Sequence, residues 1–211
     1  VLLLETGIGP DRMEKALEWL LGQPQLGNVP YRPKVVLSAG FSGSLQDDYK
    51  LGDVILATEV ADREGHVWPV PWPGELPSGE WRPPLHRGRL LTSRQLAGSP
   101  EEKRELGRQS GAVAVDMETA VGVRLCSRQG VPFGCVRVIS DSLDTPLSPQ
   151  LVSFLASGRV SPLRFLAALV RSPRLGREVW RLARDTRLAA EQLGKALGEL
   201  LTLTLPWGKD L

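Results

Sequence analysis

Four apolar runs constrain the fold of this chain more than any other feature. "VLLLETG" (1–7), "KVVLSAG" (34–40), "GDVILATEV" (52–60) and "VPFGCVRVIS" (131–140) are of strand length and mostly continuous in apolarity rather than alternating. Continuous apolar strands are those buried on both faces. Helical patterns lie between them. Met13, Leu17 and Leu20 recur at helical spacing from Asp11 to about Leu21, and a second helix is expected from Thr119 to Gln129, ended by Gly130. Two further strands are read in "GRLLTS" (88–93) and in "GAVAVDME" (111–118), the latter running into the second helix. This order predicts an α/β fold: a single domain with a mostly parallel, twisted mixed sheet flanked by helices. The core is placed at 1–148, followed by a helical C-terminal segment at 149–211.

That C-terminal segment is read as helices over "SPLRFLAALVR" and "LGREVWRLARDTRLAAEQLGKALGELL". Leu175, Val179, Leu182, Leu193, Ala196, Leu197 and Leu200 form an apolar stripe, with Arg174, Arg177, Arg181, Arg184 and Arg187 on the polar side. Such a helix packs on the sheet, or lies on a membrane surface. The 211 residues are 42% hydrophobic and 24% charged, enough to fill a core. A formal charge of +2 does not mark a nucleic-acid binder. Two cysteines, Cys126 and Cys135, make neither a disulfide framework nor a metal cluster, and a reducing, cytoplasmic setting fits them. No metal and no cofactor is expected. No apolar run reaches the roughly 18 residues of a spanning helix. The chain opens without Met inside a strand-like run, so a further N-terminal piece is expected.

The chemistry-bearing residues sit at predicted strand ends. "TGIGPDR" is a Gly-rich turn but not a dinucleotide fingerprint, because Arg12 stands where the third Gly belongs. "SAGFSGSL" is read as a small-residue loop in which Gly40 and Phe41 approach a ligand. The stretch from Pro69 to Arg89, with six Pro and three Gly, is read as a long loop. In "AVAVDMETAVG" two acids, Asp116 and Glu118, interrupt an apolar run. An ionised carboxylate there needs a partner. If the strand extends through both, they share a face, where a carboxylate accepts hydrogen bonds from vicinal hydroxyls. A structural hydrogen bond or a helix N-terminal acid would also account for either. Asp141 directly follows a buried strand, where desolvation favours the neutral acid, and such an acid can protonate a leaving group. It could instead cap a following helix, a role better suited to Asp144. Ser140 orients Asp141 or serves a turn. His66 and His86 are isolated. In a parallel sheet, ligands sit beyond the carboxyl ends of the strands, so these motifs are expected to form one site.

Together these residues resemble the nucleoside phosphorylase and nucleosidase superfamily. "ETGIGPDRMEKAL", "SAGFSGSL" with the following "LGDVILATEV", and "AVDMETAVGVRLCSRQGVPFGCVRVISDSLD" carry the resemblance, in order, over about residues 1–145. Within the superfamily the chain looks most like the hopanoid-associated phosphorylases (adenosylhopane nucleosidases), on "EKRELGRQSGAVAVDMET" and the tail from Gly158. The resemblance implies cleavage of the N-glycosidic bond of a purine nucleoside through a sugar cation. By it, Met117 packs on the sugar, Glu118 binds its hydroxyls, Asp141 protonates the purine and Ser140 holds Asp141. Leu96 and Ala97 are the candidates for base contact. Phosphorylases of this superfamily carry an Arg and a Ser or Thr at the central Gly loop. Ser38 and Phe41 stand there, so phosphate lacks charge-assisted donors and water is favoured as nucleophile. Phosphate would be a co-substrate only of a phosphorylase, the alternative reading, beside a binding protein without turnover. Asp116 stands where the small-thioether nucleosidases carry Glu. The resemblance also implies a homodimer, and the Arg-rich tail suggests peripheral membrane contact.

Overall fold

The computed structural model describes residues 1–23, 25–26, 28–72, 81–148 and 173–203. The elements in chain order are α1 (Pro10–Gly22), β1 (Gln25–Leu26), β2 (Val29–Pro30), β3 (Val36–Ser44), β4 (Val54–Asp62), β5 (Val67–Pro69), β6 (Leu85–Thr92), α2 (Pro100–Ser110), β7 (Ala114–Asp116), α3 (Thr119–Arg128), β8 (Phe133–Asp141) and α4 (Pro173–Leu203). β1 and β2 form a small antiparallel pair. The main sheet has six strands in the order β5-β4-β6-β7-β3-β8, and β8 also pairs with β4. The sheet therefore closes on itself through β4, β6, β7, β3 and β8, with β5 outside the ring. The pairings β4–β6, β6–β7 and β3–β8 are parallel, whereas β3–β7, β4–β8 and β4–β5 are antiparallel. The chain is thus a mixed α/β domain, as the apolar runs predicted.

Side chains alternate across the strands, so consecutive residues enter different cores. Ile55, Leu90, Phe133, Cys135 and Ile139 pack with Met13, Leu17 and Leu20 of α1 and with Ala120, Val121 and Val123 of α3. Val54, Leu56, Val136 and Val138 pack with Ala189, Ala196 and Leu200 of α4. Leu193 and Leu197 border that second cluster and Leu175 is buried, so the predicted stripe lies against the sheet. Arg174, Arg177, Arg184 and Arg187 face outward. The expected helix over "SPLRFLAALVR" lies outside the described residues.

Local chemistry sets the helix ends. Pro10 and Pro100 occupy first turns, where a missing N–H costs nothing. The Ser99 hydroxyl accepts the Glu102 amide, and the Glu102 carboxylate accepts the amide of Gly98, one residue before the N-cap, a variant of the capping box. Gly111 ends α2 in the left-handed region at φ 66°. α2 was not among the predicted helices.

Four expectations need correction. "VLLLETG" is not a strand: Val1 and Leu3 are exposed, and only Leu4 packs on the core. An apolar run becomes a strand only where a neighbour offers its backbone groups, and no described residue does so here. "SAGFSGS" is not a loop but residues 38–44 of β3, held by β8 as far as Gly43 and by β7 at Gly43–Ser44. Glycines there leave room for neighbours rather than making a turn. The loop expected from Pro69 to Arg89 gives way to β6 at Leu85, and residues 73–80 of it lie outside the described residues. β7 ends at Asp116, so Asp116 and Glu118 do not share a strand face; Glu118 is the N-cap residue of α3.

Candidate active site

The motifs meet through register rather than at one carboxyl rim. β3 runs antiparallel to β7, so their carboxyl ends point in opposite directions. Gly43 of β3 instead pairs with Val115 on one side and Asp141 on the other. Adjacent strands lie about 4.8 Å apart, which puts Val115 and Asp141 roughly 10 Å apart across Gly43. The register of β3 against β8 slips between Ser42 and Gly43, and this irregularity places Asp141 over Gly43. A Cβ at Gly43 would stand 2.8 Å from Asp141 Oδ2. Glycine is required there for close approach, not for turn geometry.

Both oxygens of Asp141 are held. The Ser140 hydroxyl donates to Oδ1 at 3.0 Å, and Lys103 Nζ donates to Oδ2 at 2.5 Å. The Asp141 side chain is 18% exposed, against 1% for Lys103. Asp141 is therefore a mostly buried carboxyl paired with a fully buried cation. Asp144, expected as a helix cap, instead pairs with Arg104 on the surface.

Glu118 joins the first Gly loop to the "DME" segment. Gly7 and Gly9 adopt φ 74° and 105°, and the Gly9 amide donates to Glu118 Oε1 at 2.6 Å. Burial, then the negative charge of Asp116, push the Glu118 carboxyl up from its ordinary value, opposed by the Gly9 amide and by Arg137. One of its oxygens is spent on the loop. The carboxylate is costly to ionise unless hydroxyl donors reach it. Met117, beside it, is half-buried and lines a cavity of about 920 Å³ together with Pro10, Thr92, Ser93 and Trp68.

Asp116 has a different environment. It is buried, and its carboxylate accepts Arg137 Nε at 2.9 Å and Thr92 Oγ1 at 2.8 Å, as well as the amide and hydroxyl of Thr119. Arg137 also donates to Thr119 Oγ1 at 2.6 Å, Ser38 Oγ at 3.0 Å and the Val136 carbonyl at 3.1 Å. No acceptor position of Asp116 is turned to a ligand in this arrangement. Its carboxylate ties β6, β7, β8 and the start of α3 together. The charge in the middle of "GCVRVIS" was the sequence signal for this pair. Its meaning needed the neighbouring strand.

The other candidates divide. Gly40 lies beside the Arg137 guanidinium, 3.6 Å from where its Cβ would be. Phe41 projects to the outside and is 38% exposed. Leu96 is half-buried, but Ala97 packs in a core with Leu91, Leu106 and Val115, which leaves Ala97 no surface for a base. Lys103 was missed. Its signal is a lysine on the inner face of α2, in line with Leu106 and Gly107. Among the described residues, Asp62, Glu64 and His66 gather potential metal-ligating atoms within 4.8 Å. Asp62 there accepts the amides of Glu64 and His66 and contacts the His66 ring, which closes the β4–β5 turn. Burial pushes the Cys126 thiol up to about 11, so it is no nucleophile.

Comparison with known proteins bears on this geometry. The chain aligns with 5′-methylthioadenosine/S-adenosylhomocysteine nucleosidase of an Exiguobacterium species, 25% identical over 193 residues that cover 81% of this chain and 80% of that protein. The Staphylococcus aureus nucleosidase of the same description is 24% identical, with 81% of each covered. Among solved structures, Helicobacter pylori futalosine hydrolase superposes with a TM-score of 0.53 at 21% identity, covering 79% of this chain and 77% of that one. The Neisseria meningitidis 5′-methylthioadenosine/S-adenosylhomocysteine nucleosidase, solved with methylthio-immucillin-A, gives 0.53 at 21% identity, covering 91% and 79%. The pattern of one family matches residues 1–75 and 74–171, most of the chain, and on that ground the protein belongs to the phosphorylase superfamily.

Proposed function

We propose that this protein hydrolyses the N-glycosidic bond of a purine nucleoside. The observation that carries the reading is Asp141, a mostly buried carboxyl held at both oxygens over Gly43, whose other neighbour is Val115 of the strand that leads into Glu118. In this reading Glu118 accepts hydrogen bonds from the sugar hydroxyls, which replace water around a carboxylate that burial otherwise disfavours. Met117 packs on the sugar. The C–N bond breaks toward the base while Asp141, which first takes up a proton from solvent, passes that proton to a purine ring nitrogen, so the base leaves neutral. Water adds to the sugar cation and releases its own proton to solvent, so the proton count closes. Asp116 supports the site from beneath rather than touching the substrate.

Hydrolysis is preferred to phosphorolysis for a specific reason. The guanidinium nearest the Ser38–Phe41 segment is that of Arg137, and its charge is neutralised by Asp116 while further donors are committed to Thr119, Ser38 and Val136. A phosphate there would find no uncommitted cation from β3 or β8. The nucleosidase relatives support the same choice.

The finer assignment is to the hopanoid-associated subgroup, which gives the nucleoside a large apolar 5′ substituent. The proposal extends to a cytoplasmic homodimer that contacts membranes through the basic side of α4, where Trp180 is 67% exposed beneath Arg184. Liposome flotation with anionic lipid tests that contact, and no association would count against it. The reaction itself is tested by Asp141→Asn. This variant should still bind purine nucleosides, seen as ligand-induced thermal stabilisation, but lose turnover by about 100-fold or more. Near-normal turnover would remove Asp141 from the acid role.

A further inference from the structure

The geometry points to Lys103 as the positioning residue of the acid: it fixes Asp141 in the orientation from which the proton reaches the departing base. This inference rests on the hydrolase reading above and adds a residue to it. Lys103 comes from α2, an element with no part in the mechanism so far. Its side chain is 1% exposed, and each of its three ammonium hydrogens has an acceptor: Asp141 Oδ2 at 2.5 Å, the Ser142 carbonyl at 2.9 Å and the Thr145 carbonyl at 3.5 Å.

Burying an ammonium is costly, and an apolar residue at the same place would serve packing at least as well. Lys103 is therefore poorly explained by stability alone. What it does supply is direction. Ser140 holds Oδ1 and Lys103 holds Oδ2, so the plane of the Asp141 carboxyl is set by two donors from different elements. The helix that carries Lys103 is itself fixed closely. Gly107, one turn on, lies against the backbone of Leu45, where a Cβ would come within 2.6 Å of the carbonyl. The Ser99 cap fixes the other end. Thus α2 is pressed on the end of β3, the strand that carries Gly43, and Lys103 reaches Asp141 from there. The nearby surface charges are otherwise engaged: Arg104 pairs with Asp144 and lies 4.0 Å from Asp47.

A residue that only aims the acid has a recognisable kinetic signature. Misplacing a catalytic group by about 1 Å can cost roughly 100-fold. That loss falls on substrates whose base must be protonated. It spares a nucleoside whose base already carries the charge. The experiment compares wild type, Lys103→Met and Lys103→Gln on an unmodified purine nucleoside and on its N7-methylated counterpart.

Lys103→Met is expected to lower kcat on the unmodified nucleoside by about 30- to 100-fold, with KM little changed. On the N7-methylated substrate kcat should fall no more than about threefold, which also reports that the site is folded. Lys103→Gln, which keeps a donor without the charge, should fall between. In an Asp141→Asn background, Lys103→Met should add nothing, because it acts through Asp141. Equal losses on both substrates, additive losses in the double variant, or no loss at all would each overturn the inference. If wild type releases no base from unmodified purine nucleosides, the hydrolase reading falls first. If wild type is active and the variants match it, the inference alone falls. Where wild type does not accept the methylated nucleoside, the double variant decides.

Discussion

Asp116→Asn separates the two acids of "DME" by their jobs. The Asp116 and Arg137 side chains are 1% and 3% exposed, and Arg137 directs both Nε and Nη2 at one Asp116 oxygen. Replacing the carboxylate by an amide leaves the guanidinium buried without its counter-charge. Breaking one side of such a pair costs about 3–5 kcal/mol. For a chain of this length each kcal/mol moves Tm by about 2–4 °C, so a fall of roughly 6–20 °C is expected. The assay is thermal unfolding followed by circular dichroism. Steady-state kinetics are then measured below the variant's transition. There kcat/KM should stay within about fivefold of wild type. Adding Arg137→Met removes the orphaned cation and should restore much of the lost Tm. A Tm within about 2 °C of wild type, coupled with a large loss of kcat/KM, would refute the reasoning. It would mean that Asp116 meets the substrate.

Glu118→Gln should show the opposite behaviour, lowering kcat/KM by about 10- to 100-fold through the loss of charge-assisted hydrogen bonds, with no loss of Tm at neutral pH; unchanged kinetics would sink the sugar-binding role. Its pH dependence follows from the sign of the shift. The folded chain holds the Glu118 proton more tightly than the unfolded chain does, so this group's contribution to stability is present below its unfolded pKa and is lost as pH rises through the folded value. Nucleoside binding favours the carboxylate. Affinity should therefore rise over the same interval with proton release, measurable by calorimetry in buffers of different ionisation enthalpy, whereas proton uptake would contradict it. Gly43→Ala pushes a methyl to within 2.8 Å of Asp141 Oδ2 and should cut kcat by about 10-fold or more with the fold retained by circular dichroism. Normal turnover would show that Asp141 needs no close approach to β3.

Part of this architecture is legible in the amino-acid order, and particular residues show why. β4 and β8 announce themselves because a strand buried on both faces is apolar over most of its length rather than at alternate positions. α1 and α4 do so because one helix face must match the core. Glu118 and Asp141 stand out because each breaks an apolar run. The ring closure through β8 and β4 is not legible, since backbone pairing between distant segments leaves no mark on either sequence alone. Most of β3 reads as a loop because two glycines among small residues usually signal a turn. Here at least Gly43 serves to let Asp141 approach. Asp116 groups with Glu118 by proximity in sequence. Its true partner, Arg137, lies 21 residues away on another strand. Lys103 is hidden for a related reason. A lysine in a charged helix reads as solvated until the helix is seen from its inner face.

The central claim is that water, not phosphate, takes the sugar. The most direct test is base release from adenosine, methylthioadenosine and an apolar 5′-substituted adenosine, read by chromatography, in phosphate-free buffer and again with phosphate. The account predicts free base and free sugar at the same rate in both buffers. Release only with phosphate, and recovery of the sugar 1-phosphate, would contradict it.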